Sequence, residues 1–195
     1  MTIFYLIRHG NKKKQPGDYG LSELGKAQSE RTAKHLKIFP IIAICTSPYA
    51  RAQETAQIIA RILNLPVIIE QSLKERMNWE KEYRSFEEFI QEWQYATDNP
   101  ESKPKFGDSV KETAKRIDDI INKLADDSEN GHIVLVTHGG TIRDFLVILS
   151  KEYSLKFAEK QMEGVRECSI TKIVLSRKKI IVKYLDNVYH LKESS

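Results

Sequence analysis

The chain has 195 residues, with hydrophobic residues at 41%, charged residues at 30% and a formal net charge of +4. That length is enough for one domain of roughly 100–200 residues with a full core and no disulfide or metal staple. The mild positive excess fits an anionic substrate or an ordinary solvated surface; it is too small for a nucleic-acid binder, and no basic stripe interleaved with aromatics accompanies it.

Ile3–Ile7 reads as a short buried strand that runs into Arg8-His9-Gly10. Residues 11–20, with Lys12, Lys13, Lys14, Pro16, Gly17 and Gly20, read as a loop. Ser22 is expected to cap a helix reaching about Leu36, with Ala27, Thr32, Ala33 and Leu36 facing inward. A second strand at Ile41–Cys45 precedes a helix that starts near Pro48, carries Ala52, Ala56, Ile59, Ala60 and Leu63 at helical spacing, and ends at Pro66. Val67–Ile69 is a third strand. Residues 72–105 carry Trp79, Tyr83, Phe86, Phe89, Ile90 and Trp93 in a partly helical, aromatic pattern broken by Asn99-Pro100 and Lys103-Pro104. A long helix from about Asp108 to Ala125, a strong strand at Ile133–Val136, a helix at Gly139–Leu149, and strands at Ile170–Leu175 and Ile180–Tyr184 around a tight turn at 177–179 complete the chain. Alternating strands and helices predict an α/β fold with a largely parallel central sheet. The expected architecture is a three-layer αβα sandwich forming a single domain over 1–195, with 72–105 a partly helical insertion over the active-site end that forms the pocket wall. The two cysteines, Cys45 and Cys168, lie in or beside apolar runs with no Cys-x-x-Cys pair and read as free thiols of a reducing compartment. The apolar start is too short for a signal peptide and no run approaches the ~18 apolar residues of a membrane span, so a cytoplasmic protein with no membrane partner is expected.

Two strands end alike, in Arg8-His9-Gly10 and in Thr137-His138-Gly139-Gly140. Open α/β sheets bind ligands at the carboxyl ends of their strands, and the helix that opens after Gly139 favours an anion. A third strand end places Arg51 in the first turn of a helix at the same rim. Arg8 and Arg51 supply planar forks suited to phosphate oxygens, and His9 and His138 supply imidazoles that titrate near neutrality. A neutral imidazole can act as a nucleophile, with the second histidine and the arginines stabilising transition-state charge. Each histidine alone reads more simply as structural; two strand-end His-Gly pairs with two arginines favour the chemical reading. No His-x-His or Asp-rich cluster points to a metal. Trp79, Phe86, Phe89 and Trp93 are first of all packing residues, with pocket lining as the other reading. His35 and His132 read as ordinary surface or helix-flank residues. Cys45 and Arg51 stand at Cys-x5-Arg spacing, which suggests a cysteine-dependent phosphatase; the loop between them lacks the glycine such a phosphate cradle needs, and no histidine flanks Cys45.

Arg8-His9-Gly10 resembles the signature of the histidine phosphatase family, the phosphoglycerate-mutase-like group, in its branch 1 phosphatases. Leu21-Ser22-Glu23-Leu24-Gly25-Lys26-Ala27-Gln28 resembles its Leu-Thr-x-x-Gly-x-x-Gln segment, and Ser47 to Ala56 its Ser-x-x-x-Arg-Ala-x-x-Thr-Ala helix start. Gly107-Asp108-Ser109 with Arg116 resembles its Gly-Glu-Ser helix start. Thr137-His138-Gly139-Gly140 carries the second histidine, and Asn187-Val188-Tyr189-His190-Leu191 is similar to its C-terminal Asn-x-x-His-Leu, where a structural role is expected for His190. The resemblance spans nearly the whole chain. It implies a phosphomonoesterase that hydrolyses a small phosphorylated metabolite through a phosphohistidine on His9. Arg8, Arg51, His138 and Gly139 would complete the phosphate site, and Glu75 would be the proton donor; no metal or other cofactor is implied. A homodimer is compatible with it. The chain departs from the family at Asn11-Lys12, where Asn11 is still expected to donate to phosphate and the lysines read first as a solvated loop, and at Glu167, where many members have asparagine. Two alternatives stay open: a phosphoglycerate mutase, suggested by Glu75-Arg76 but usually longer than this chain, and a non-catalytic phosphate-binding module on the same fold.

Overall fold

The computed structural model describes residues 1–13, 17–79, 82–128, 130–158 and 164–192. The strands are β1 (Thr2–Arg8), β2 (Ile41–Thr46), β3 (Val67–Ile69), β4 (His132–Thr137), β5 (Ile170–Ser176) and β6 (Lys179–Asn187), and the α-helices among the described residues are α1 (Glu23–Leu36), α2 (Ala50–Leu63), α3 (Phe86–Asp98), α4 (Val110–Asp127), α5 (Gly139–Leu149) and α6 (Lys151–Ala158). They form one mixed sheet in the order β3-β2-β4-β1-β5-β6. β3, β2, β4 and β1 are mutually parallel, and β5 runs against its neighbours β1 and β6. The largely parallel α/β sheet expected from the sequence is present, and with it the three layers.

Side-chain alternation along the strands builds a core on each face of the sheet. Phe4, Leu6, Ile133 and Leu135 pack with Ile117, Ile121, Ile142 and Phe145 of α4 and α5. Tyr5, Ile7, Val134 and Val136 pack with Ala33, Leu36, Ala52, Ala56 and Ile59 of α1 and α2. The alanines of α2 let that helix lie close on the strands.

The chain leaves β1 toward β2 and β3 through helices on one face, then returns to β4 through α4 on the other. β1 and β4 are therefore neighbours whose following helices, α1 and α5, lie on opposite faces. This is the switch point at which α/β sheets open a binding crevice. Register fixes what stands there. Arg8 pairs with Thr137 across the two strands, and the His9 N–H donates to the Thr137 carbonyl at 2.9 Å. On the other side of β4, Thr46 pairs with Val136, and the Ser47 N–H donates to the Val136 carbonyl at 2.9 Å. His9, His138 and Ser47 thus leave adjacent strand ends together.

Some boundaries differ from the sequence reading. α2 begins at Ala50 rather than Pro48, because Tyr49 is still extended and the Asp18 carboxylate, not a local side chain, accepts from the Ala50 N–H at 2.9 Å. The long helix starts at Val110 behind a Ser109–Glu112 capping box. α6 was not anticipated. The β5–β6 turn puts Arg177 and Lys178 at φ 49° and 63°, the paired left-handed conformation of a tight hairpin.

Candidate active site

The Arg8-His9-Gly10 turn is clamped from beneath by both neighbouring helices. The Gly10 N–H donates to Thr55 Oγ1 at 3.0 Å, and the Asn11 N–H donates to Gln28 Oε1 at 2.9 Å. A Cβ on Gly10 would stand 2.6 Å from the Gly25 carbonyl oxygen, and one on Gly25 would stand 2.1 Å from the Asn11 carbonyl oxygen. Two glycines are needed here because backbone packs on backbone. Each fixed position of the two motifs accordingly has a task. Ser22 caps α1, Gly25 permits the approach, Gln28 and Thr55 hold the turn, and Arg51 and Ser47 reach the histidines.

His9 is buried. Its Nδ1 lies 2.8 Å from the Gly10 carbonyl, which can only accept, so Nδ1 carries the proton. Nε2 accepts from Arg51 Nε at 3.2 Å and so holds the lone pair. Burial first, then the charges of Arg51 and Arg8, holds the His9 pKa well below 6.5, which keeps the ring neutral at pH 7. His138 is buried 5.2 Å away, ring centroid to centroid, with Nε2 2.6 Å from Ser47 Oγ. Burial and then Arg51 hold its pKa well below 6.5 as well. Arg8 Nε, Arg51 Nη1 and His138 Nδ1 are buried without a hydrogen-bond partner among the described residues. Buried polar groups are normally satisfied, so the free nitrogens that Arg8 and Arg51 bring to the crevice suit an anion; His138 is fully buried behind them and does not itself line the cavity.

Glu75 follows the 3-10 turn Gln71–Leu73 and is held at the N-terminus of α5. Its Oε2 accepts from the Gly140 N–H at 3.1 Å and its Oε1 from the Arg76 N–H at 2.9 Å. Thr141 Oγ1 lies 3.0 Å from Oε1 and 2.9 Å from the Lys74 carbonyl. The Gly107–Arg116 segment secures this turn: the Asp108 N–H donates to the Arg76 carbonyl at 2.9 Å, and the Asp108 carboxylate pairs with Lys74 at 3.3 Å and Arg116 at 3.1 Å. Arg76 itself points away from the crevice. It is buried against Asp144 at 3.4 Å, with its guanidinium carbon 4.1 Å from the Trp93 ring centroid.

These residues open on a cavity of ≈ 1050 Å³ lined by Arg8, His9, Lys12, Arg51, Glu75, Gly139 and Gly140, and walled by Trp79, Phe86, Phe89 and Trp93. The aromatics form a ladder with centroid separations of 4.8, 6.0 and 5.9 Å. Pocket lining and packing are both served.

Asn11 is placed differently from expectation. Its Nδ2 donates to the Glu167 carboxylate at 3.1 Å and its Oδ1 accepts from the Ser22 hydroxyl at 2.6 Å, so the amide is spent on the loop and does not line the cavity. Glu167, the departure without an explanation in sequence, is the acceptor that draws Asn11 aside, and it also stands 3.7 Å from Arg8. Lys12 lines the cavity instead, while Lys13 is exposed and Lys14 lies outside the described residues. Ser47, Asp18, Asn78 and Thr141 were not singled out as site residues. Asp18 is 3.5 Å from Arg51 Nη1 and Asn78 Oδ1 accepts from Arg51 Nη2 at 3.3 Å. Ser47 could have been found from its fixed place in the strand-end motif; nothing local marks the others. Cys45 packs from β2 into the core shared with α4 and α5, where burial pushes its thiol up to about 11 and so disfavours the thiolate a nucleophile needs. His190 lies 3.1 Å from the Cys168 carbonyl and 3.0 Å from Thr32 Oγ1, an internal tie. Among the described residues no group of three or more His, Cys, Asp or Glu side chains is placed to hold a metal ion.

The family model described as histidine phosphatase superfamily (branch 1) matches residues 4–188. The chain belongs to the histidine phosphatase superfamily. Superfamily relatives include the 2,3-bisphosphoglycerate-dependent phosphoglycerate mutase 2 of Gloeobacter violaceus, 30% identical and covering 76% of each chain. The metal-independent phosphoserine phosphatase of Arabidopsis thaliana is 26% identical over 98% of this chain and 84% of its own. Among solved structures, Bacillus stearothermophilus YhfR superposes with a TM-score of 0.82 at 25% identity, covering 98% of this chain and all of its own. No helix among the described residues is long and apolar enough to cross a membrane.

Proposed function

We propose that this histidine phosphatase is a metal-independent phosphomonoesterase acting on a small phosphorylated metabolite, with His9 as nucleophile. The observation that carries the reading is the tautomer of His9: Nδ1–H is tied to Gly10 and the Nε2 lone pair faces Arg51 beside unpartnered donors. Arg8, Arg51, His138 and Gly139 receive the phosphoryl oxygens. The ester P–O bond breaks as the Nε2–P bond forms, and Glu75 gives its proton to the departing alkoxide. Water then cleaves the phosphohistidine, with Glu75 taking a proton back. Asn11 supports the loop rather than the phosphate. A cavity of ≈ 1050 Å³ leaves room for water beside a small substrate. The second reading, a phosphoglycerate mutase, is favoured by the Gloeobacter relative; against it, Arg76 of the Glu75-Arg76 pair is turned into the protein at 1% exposure. The chain works as one domain, with residues 72–105 as the pocket wall, and its two buried free cysteines suit the cytoplasm.

The test is turnover of p-nitrophenyl phosphate in the presence of a chelator. Wild type should be active, His9→Ala should lose nearly all turnover, and Cys45→Ser should lose little. Acid quench should be destructive to, and alkaline quench should preserve, phosphate bound to His9. A dead wild type would return the fold to a binding module, and an active His9→Ala would remove His9 from the chemistry.

A further inference from the structure

We propose that Lys12 is a third cationic ligand of the transferred phosphoryl group, reaching it from the loop that follows Arg8-His9-Gly10. The proposal rests on the phosphatase reading for its chemistry, but the binding it invokes is separable from turnover.

The backbone of Lys12 is fixed. It forms a bridge with Leu21, and it lies between the Asn11 N–H bond to Gln28 and the Lys13 N–H bond to the Gly20 carbonyl at 3.3 Å. Its side chain is half-buried and lines the same cavity as Arg8, His9 and Arg51. Among the described residues its ammonium has no hydrogen bond and no ion pair. The charges around it are Arg51, Asp18, Arg8 and Glu75, and it is itself among the charges that bear on His9. Two of those neighbours are cations. Burial and then Arg51 lower its pKa from the usual 10.5, so the free protein holds this ammonium against a cost.

A lysine on a solvated loop would turn outward from two arginines, as Lys13 does. One that stays inside beside them is placed for an anion that arrives later. The arginines alone leave the phosphoryl group under-neutralised, because each already has a carboxylate near it: Asp18 at 3.5 Å from Arg51 and Glu167 at 3.7 Å from Arg8. Among the described residues Lys12 has none within ion-pair distance, with Asp18 and Glu75 acting on it only from further off, so its ammonium is free to meet a dianion. The asparagine before it cannot do this work, since Glu167 and Ser22 hold its amide.

The experiment compares wild type, Lys12→Met, Lys12→Arg and Lys13→Met. p-Nitrophenyl phosphate is the substrate, and inorganic phosphate is the probe in calorimetry; both carry one anionic group only. Lys12→Met should lower kcat/KM by ~10–100-fold, as loss of a transition-state donor does, and should weaken inorganic phosphate by ~10-fold or more. Lys12→Arg should recover part of both, and Lys13→Met should match wild type with an unchanged melting temperature. If Lys12→Met binds phosphate and turns over p-nitrophenyl phosphate like wild type, the proposal is overturned, whether or not it weakens esters bearing a second carboxylate. A wild type that binds phosphate without turnover would strike the phosphatase reading and leave the calorimetric comparison to decide Lys12.

Discussion

Glu75 donates a proton only if a neighbour tolerates the hydrogen on its carboxyl group, and Thr141 is built to do so. Its single hydroxyl proton can go to the Lys74 carbonyl at 2.9 Å, an acceptor only; its lone pair then faces Glu75 Oε1 at 3.0 Å. The same oxygen can switch to donor when Glu75 is ionised, so one threonine can face either protonation state of that carboxyl group. p-Nitrophenolate leaves without help, whereas an alkoxide needs its proton in the transition state. Glu75→Gln should therefore slow hydrolysis of an alkyl phosphate by ~10²-fold or more and p-nitrophenyl phosphate much less. Equal slowing of both esters in steady-state assays would leave Glu75 with a positioning role only. His9, His138, Arg8 and Arg51 were legible because strand ends and a helix first turn are local patterns. The placement of Asn11 was not legible, because its amide is held by Glu167, which stands 156 residues further along the chain.

At the scale of elements, the site depends on how closely α3 and the Glu75 turn can approach the start of α5. A Cβ on Gly140 would stand 2.5 Å from the Trp93 ring and 2.7 Å from Glu75 Oε1. Gly140→Ala should push both aside. Misplacement of a catalytic group by about 1 Å costs up to ~10²-fold, so activity on an alkyl phosphate should fall by ~10-fold or more. Melting should move little, because alanine is up to ~1 kcal/mol better than glycine inside a helix and offsets part of the strain. A variant that keeps full activity would mean that Trp93 yields freely and does not shape the site. The strands and the α1, α2 and α4 helices were readable from periodicity, since each buries one face. α3 was only half readable. Its aromatics serve a cavity as well as a core, with Phe86 and Ile90 exposed while Phe89 is buried, and that mixture blurs the helical pattern.

For the whole molecule, the buried titratable groups pull stability in opposite directions as pH falls. His9 and His138 have folded pKa values well below 6.5, and His190 is lowered to about 4, chiefly by burial in each case. Below pH 6.5 the unfolded chain takes up these protons and the folded chain does not, so each histidine costs stability on acidification. Asp144 works the other way. Burial pushes it up to about 7 from 3.8, against the opposing pull of Arg76, so below 7 the folded chain holds a proton that the unfolded chain lacks. These three histidines against one aspartate leave a net uptake on unfolding of up to about two protons, a slope of about 1.4 kcal/mol per pH unit for each, and His35 and His132, also lowered by burial, add to it in the same direction. Urea unfolding between pH 6.5 and about 5 should thus show stability falling with pH. Asp144→Asn removes the only one of these groups that gains from acid. It should therefore steepen the fall by up to about one proton. A slope identical to wild type would mean that Asp144 stays ionised in the fold and that the Arg76–Asp144 contact is a true ion pair throughout this range.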